Sequence, residues 1–196
     1  MKRSFEKTNK ILEKNEEIFL ITLARDAITQ YLTTGKKLTV KEHNVPNALL
    51  KTGACVVTIK KEGKLRGSIG QITSRQPIYL DVIDNAISAG FKDPHFLPLE
   101  EDELADLKIS VSVLGELRSV ACTSPVEAIT YFEKNKVGVV LNHGKNHASF
   151  LPSEWKRFPD VRAFLGALCE KAGLGAYAWQ DKETTFAVFD VQLCEE

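Results

Sequence analysis

The sequence predicts an α+β fold: two helix–hairpin–helix–strand modules duplicated within one compact body. Three observations predict it. Apolar residues recur at three- and four-residue steps in some stretches and at every second residue in others, so helices and strands are both present. Strand runs come in pairs across polar, glycine-bearing turns, the signature of hairpins. The same element order then appears twice: hairpins start at Ala54 and Val137, second helices at Pro77 and Asp160, with one offset serving both.

The elements follow in order. Residues 1–14 are charged with little periodicity and read as a polar tail. From Glu16, Phe19, Leu20, Leu23, Ala27, Ile28 and Tyr31 form a helical stripe that Gly35 stops. Residues 36–51 connect, with Pro46 breaking any regular element. Ala54–Ile59 and Leu65–Ile72 are strands joined by a turn containing Gly63. A helix begins at Gln76-Pro77, where proline's missing N–H costs nothing, and Gly90 closes it. Asp93–Leu99 is a loop pinned by Pro94 and Pro98, and Leu107–Val113 alternates as a half-buried strand.

The second module opens at Ser124-Pro125-Val126-Glu127, a capping pattern for a helix through Phe132. Val137–Leu141 and Ala148–Leu151 form its hairpin, a helix runs from about Pro159 to Gly173, and Thr185–Val191 is the closing strand. The repeats span about 15–118 and 119–196 and are expected to share a core.

Bulk properties exclude several function classes. Charge balances at 26 basic against 26 acidic residues, so nothing attracts phosphate backbones or anionic membranes in general. Nucleic acid is therefore not an expected partner. The tryptophan neighbourhoods, Trp155 and Trp179, lack clustered basic residues and read as packing. Cys55, Cys122, Cys169 and Cys194 are scattered and read as reduced core residues, which places the chain in the cytoplasm. No stretch approaches the roughly 20 apolar residues of a spanning helix. Phosphate-loop, dinucleotide and nucleophile-elbow patterns are absent, and no cofactor is expected.

Chemistry concentrates in two strings. In Leu65-Arg66-Gly67-Ser68-Ile69-Gly70, two glycines interrupt a sound strand, which is costly unless another group approaches the backbone closely. Arg66 offers a planar five-donor cation for a carboxylate or phosphate, Ser68 a hydroxyl, and Arg75 a second cation before the helix. The competing reading is that Gly67 and Gly70 permit tight packing while Arg66 pairs with a nearby acid. In the second string, Asp93-Pro94-His95, a carboxylate and an imidazole sit on a rigid loop and form an acid/base candidate; otherwise Asp93 caps a turn and His95 is merely exposed. The catalytic candidates are thus Ser68 and His95, and the binding candidates Arg66, Gly67, Gly70, Arg75 and Asp93. His143 and His147 have helical metal-ligand spacing but sit among Asn142, Gly144 and Asn146, turn formers, so no metal site is expected.

These strings, with Asn85–Ala89, Leu104–Leu114, Phe150-Leu151-Pro152 and Leu168–Leu174 in the same order, resemble the AMMECR-domain family, the A component of the AmmeMemoRadiSam system. The resemblance implies a duplicated α+β fold and two protein partners, a radical S-adenosylmethionine protein and a Memo-like protein. It supplies no activity. The family's hallmark usually has cysteine where this chain has Ser68, and arginine is common in place of His95. A mechanism of thiolate attack would therefore lack its nucleophile here. The expectation is a binding or accessory module for a protein partner or small anionic ligand. The alternative is an enzyme acting on a modified amino-acid or protein substrate through Ser68 or His95.

Overall fold

Helix α1 (Lys14–Thr34) starts where its first free N–H groups are satisfied by a capping box between Glu13 and Glu16. It ends on Gly35, whose φ of 67° a side chain would resist. The computed structural model describes residues 10–73 and 75–196. Most of the expected 1–14 tail lies outside the described residues. At its end the chain is held: Leu12 is buried, and the Gln192 side-chain amide bonds the backbone of Ile11 and Leu12.

The chain divides into two units, Met1–Gly115 with Gln192–Glu196, and Glu116–Val191. In the first, β1 (Thr52–Lys61) and β2 (Lys64–Gly70) form the expected hairpin. Its turn places Glu62 and Gly63 at φ of 51° and 76°, the double positive geometry that matches strand twist. β4 (Leu107–Leu114) and β9 (Val191–Glu195) complete the sheet order β2-β1-β4-β9.

Helix α2 (Ile78–Phe91) begins after Gln76-Pro77, which instead form β3, a two-residue strand on β1. Gly90 lies inside α2 rather than closing it; a Cβ there would sit 2.9 Å from Leu99 Cδ1, so the glycine makes room for that side chain. Polar residues tie α2 to β1 within the core. Buried Asp81 accepts from the Cys55 N–H at 2.9 Å and from the Asn85 amide at 3.0 Å, while Asn85 also donates to the Cys55 carbonyl. Burial, with the Asp81 charge beside it, pushes the Cys55 thiol well above its ordinary range, so this cysteine is inert. Asp81→Ala strands the buried Cys55 N–H and one of the two N–H groups of the Asn85 amide. It is expected to cost about 2 kcal/mol in urea unfolding, and an unchanged midpoint would refute the role assigned to this network.

In the second unit, α3 (Pro125–Lys134) is capped by Ser124, which accepts from the Glu127 N–H as the sequence predicts. β6 (Gly138–His143) and β7 (Asn146–Phe150) form the hairpin, and α4 (Val161–Lys171) is capped by Asp160. The closing strand β8 (Thr184–Phe189) stops at Asp190, separate from β9. β5 (Arg118–Val120), which has no apolar run to announce it, gives the order β5-β8-β6-β7. Trp155 stacks on Phe164 with ring centroids 3.4 Å apart and donates to the Val137 carbonyl, a packing role.

The result is mixed helix and antiparallel sheet, as predicted. Where the sequence leads one to expect a shared core, the buried side chains gather in two clusters, one in each unit. The first unit runs α1, β1, β2, β3, α2, β4 and, after the second, β9; the second runs β5, α3, β6, β7, α4, β8. No helix among the described residues is long and apolar enough to cross a membrane.

Candidate functional site

β2 is an edge strand, and the sequence places its unusual residues there. Gly67 is buried: a Cβ built on it would lie 2.1 Å from the Ala89 carbonyl oxygen of α2. At Gly70 the same atom would meet the Cys55 carbonyl at 2.4 Å. Both glycines therefore admit the protein's own backbone. The expected close approach by a ligand gives way to close packing by a helix and a neighbouring strand.

Arg66 is already neutralised. Its Nε and Nη2 donate to the two carboxylate oxygens of Glu103 at 3.0 and 2.8 Å, a bidentate pair whose side chains are 16% and 12% exposed. Nη1 donates to the Leu97 carbonyl at 2.8 Å and Nη2 to that of Pro98 at 3.2 Å. Lys61 also reaches Glu103. The bonds from Arg66, outweighing burial, hold the Glu103 carboxyl down at about 2. A guanidinium spent in this way has little left for an incoming anion, which corrects the expectation that Arg66 is a free anion receptor. Its bonds instead pin the 93–98 loop to the strand.

Asp93, the first residue of that loop, is 7% exposed. One oxygen accepts from the Ser68 N–H at 2.8 Å, capping the outer edge of β2; the other accepts from the His95 N–H at 2.9 Å and lies 3.1 Å from His95 Nδ1. Burial raises its pKa, but these bonds outweigh it and leave the carboxyl below its ordinary value. The Ser68 hydroxyl meets Thr58 Oγ1 at 2.9 Å across the hairpin. The structure thus brings Ser68 and His95 to one carboxylate, a proximity that spacing alone does not give. The serine's partner is a hydroxyl rather than a base, so its oxygen is not activated. The His95 side chain is 81% exposed. Arg75 is also exposed and, among the described residues, stands apart from this group's hydrogen bonds.

Sequence reasoning missed three participants. Glu103 sits in an acidic run, Glu100–Asp106, whose charges gave no reason to single it out. Thr58 is the register partner of Ser68 and follows from the hairpin turn once the pairing is counted. Leu97, 83% exposed, is displayed by a loop that Arg66 holds. In the second hairpin His143 Nδ1 is 2.9 Å from Thr184 Oγ1, and His147 lies opposite Asn142.

Comparison with known proteins bears on the family and the fold. The chain is 33% identical to Protein MK0488 of Methanopyrus kandleri over 193 residues, covering 94% of this chain and 89% of that one. It is 37% identical to Protein CA_C1420 of Clostridium acetobutylicum over 144 residues, 72% of this chain but 29% of that longer protein. The crystal structure of the uncharacterized protein PH0010 from Pyrococcus horikoshii superposes with a TM-score of 0.86 at 29% identity, covering 95% of this chain and 94% of its own. The AMMECR1 family model matches residues 21–194, and the chain belongs to the AMMECR1 family.

Proposed function

We propose that this chain is a binding or accessory module that recognises a protein partner across β2 and the 93–98 loop. One observation carries the reading. Arg66 spends four donor bonds on Glu103 and on the Leu97 and Pro98 carbonyls, so it fixes a loop that displays His95 and Leu97 outward. An apolar side chain carried on a backbone already fixed forfeits less entropy when a partner covers it. A small anionic ligand, the other occupant considered from the sequence, loses support because the cation it would need is occupied. The partners implied by the family resemblance, a radical S-adenosylmethionine protein and a Memo-like protein, are the ones to test; the AmmeMemoRadiSam system and a cytoplasmic address enter as part of this proposal.

Calorimetric titration of the folded protein with each of those two proteins from the same genome tests it. Leu97→Asp is expected to weaken binding at least about tenfold, roughly 1.4 kcal/mol, because it puts an unpaired charge at the contact. Ser68→Ala should change affinity by less than about twofold, since its hydroxyl faces Thr58. Wild-type protein that binds neither partner would sink the reading.

A second reading has one observation in its favour. Asp93 orients the His95 ring through Nδ1 and leaves Nε2 outward, as a carboxylate orients a general base. On this reading the chain is an enzyme acting on a modified amino-acid or protein substrate. Complete loss of cellular function in His95→Gln, with partner binding intact, would favour it over the first.

A further inference from the structure

β2 is an outer strand of its sheet and pairs with β1 alone among the described strands. Because the Ser68 N–H is turned away from β1, backbone alternation turns the Ser68 C=O and both groups of Gly70 the same way. A row of this kind is a template on which another strand can add. Gly70 is exposed and has no side chain to hold a second strand off. Leu65, 52% exposed on the same strand, adds apolar surface that an added strand would cover.

An antiparallel edge is complementary to itself. A two-fold axis through Ile69 would set Ser68 of one copy against Gly70 of the other, twice over, and each such pair would exchange two hydrogen bonds. Half of those bonds need the Ser68 N–H. That group is already taken, because Asp93 Oδ2 accepts from it at 2.8 Å. The carboxylate is held from behind by the His95 N–H at 2.9 Å, and its bonds keep it ionised at neutral pH. An incoming Gly70 carbonyl would meet a negative oxygen where it needs a proton. Displacing that oxygen would strip a buried carboxylate of a charge-assisted bond. The other sheet carries the converse arrangement. There Lys171 Nζ donates to the Ser149 carbonyl of β7, also an outer strand, at 2.9 Å.

We infer that Asp93 is an autoinhibitory edge guard: its side chain fills the position on Ser68 that a second copy of this chain would use, and so keeps the β2 edges of two copies from pairing. The contact does more than fasten a loop, because removing it creates a binding edge. The 93–98 loop stays tied to β2 through Arg66 at the Leu97 and Pro98 carbonyls, so the edge opens at Ser68 and Gly70 while the loop remains. The inference shares β2 with the function proposed above but does not rest on it. Its test contains this protein alone, so failure to bind either partner leaves it standing.

The test compares the full wild-type chain with Asp93→Ala by analytical ultracentrifugation, from about 1 µM to about 200 µM protein. Asp93→Ala is expected to self-associate at least about tenfold more tightly than wild type. Amide exchange followed by NMR then locates the contact. In Asp93→Ala at low concentration the Ser68 amide should exchange at least about tenfold faster than in wild type. Both Ser68 and Gly70 should slow as concentration rises, whereas in wild type neither should respond to concentration. If Asp93→Ala lowers the melting temperature, Asp93→Ser replaces it. The serine hydroxyl can still cap the turn at the His95 N–H but is too short to reach Ser68 as well. A folded variant with the wild-type association constant overturns the inference. So does self-association that leaves Ser68 and Gly70 exchange unchanged, which would place the contact elsewhere. Wild-type chains that already pair with slowed Gly70 exchange overturn it too, since the edge would then be unguarded.

Discussion

Gly67→Ala is expected to be the most damaging single-methyl change in the first unit. The added carbon would stand 2.1 Å from the Ala89 carbonyl oxygen and 3.0 Å from its carbon, both backbone atoms of α2. No side-chain rotation relieves that overlap; the helix and β2 have to separate. Their separation opens the core beneath, where Val57, Ile59, Val82, Ile83 and Ala86 are all buried. Overpacking against movable side chains costs about 1–3 kcal/mol, and an immovable partner puts this case at or above about 3 kcal/mol. Urea unfolding measures it. Gly175→Ala is the control: open space surrounds that position and the change should stay within about 0.5 kcal/mol. A Gly67→Ala protein as stable as the control would show that β2 and α2 do not meet as described, and the close-packing explanation of the hallmark glycine would fall.

The same glycine shows how far the sequence could be read. Two glycines in a strand correctly announced a close approach to the backbone, but local sequence does not say which atoms approach. Ala89 lies 22 positions from Gly67, and only the packing of α2 on the hairpin brings its carbonyl there. Elements with strong periodicity were legible: α1 with its Gly35 stop, α3 with its Ser124 cap, and α4, expected from about Pro159 and found from Val161 behind an Asp160 cap. β3, β5 and β9 were not, because two to five residues carry too little pattern and each exists by pairing with a distant strand. The site followed the same rule. Ser68, Asp93 and His95 stood out by residue type, and the structure joins them through one carboxylate. Glu103 did not stand out, because an acid among acids acquires meaning only from the cation that reaches it.

That cation supplies the second large effect. Arg66→Ala removes the partner of a carboxylate that is 12% exposed and frees the loop carbonyls of Leu97 and Pro98. Breaking such a pair from one side leaves the part-buried carboxylate with only Lys61, 3.2 Å away, to balance it, and about 3 kcal/mol, the low end for such a loss, is expected in urea unfolding at neutral pH. Glu103→Gln keeps the shape but leaves Arg66 without its counter-charge, while the part-exposed Lys61 can turn to solvent; about 2–3 kcal/mol is expected. The pH dependence fixes the sign. A carboxyl held down at about 2 from an ordinary 4.5 stabilises the fold above pH 4.5, where both folded and unfolded forms are ionised. That contribution is lost as pH falls from about 4.5 through about 2, because the unfolded chain takes up its proton first. The stability gap between wild type and Glu103→Gln should therefore be constant near neutrality and close across that acid window. Arg66→Ala should also loosen the loop that carries His95 and Leu97, raising amide exchange over 93–98, whereas Asp81→Ala, which acts in the core of α2 and β1, should not. An unchanged exchange rate there, with the stability loss present, would keep the ion pair as a source of stability but remove its role in displaying the loop, and with it the argument that β2 faces a partner.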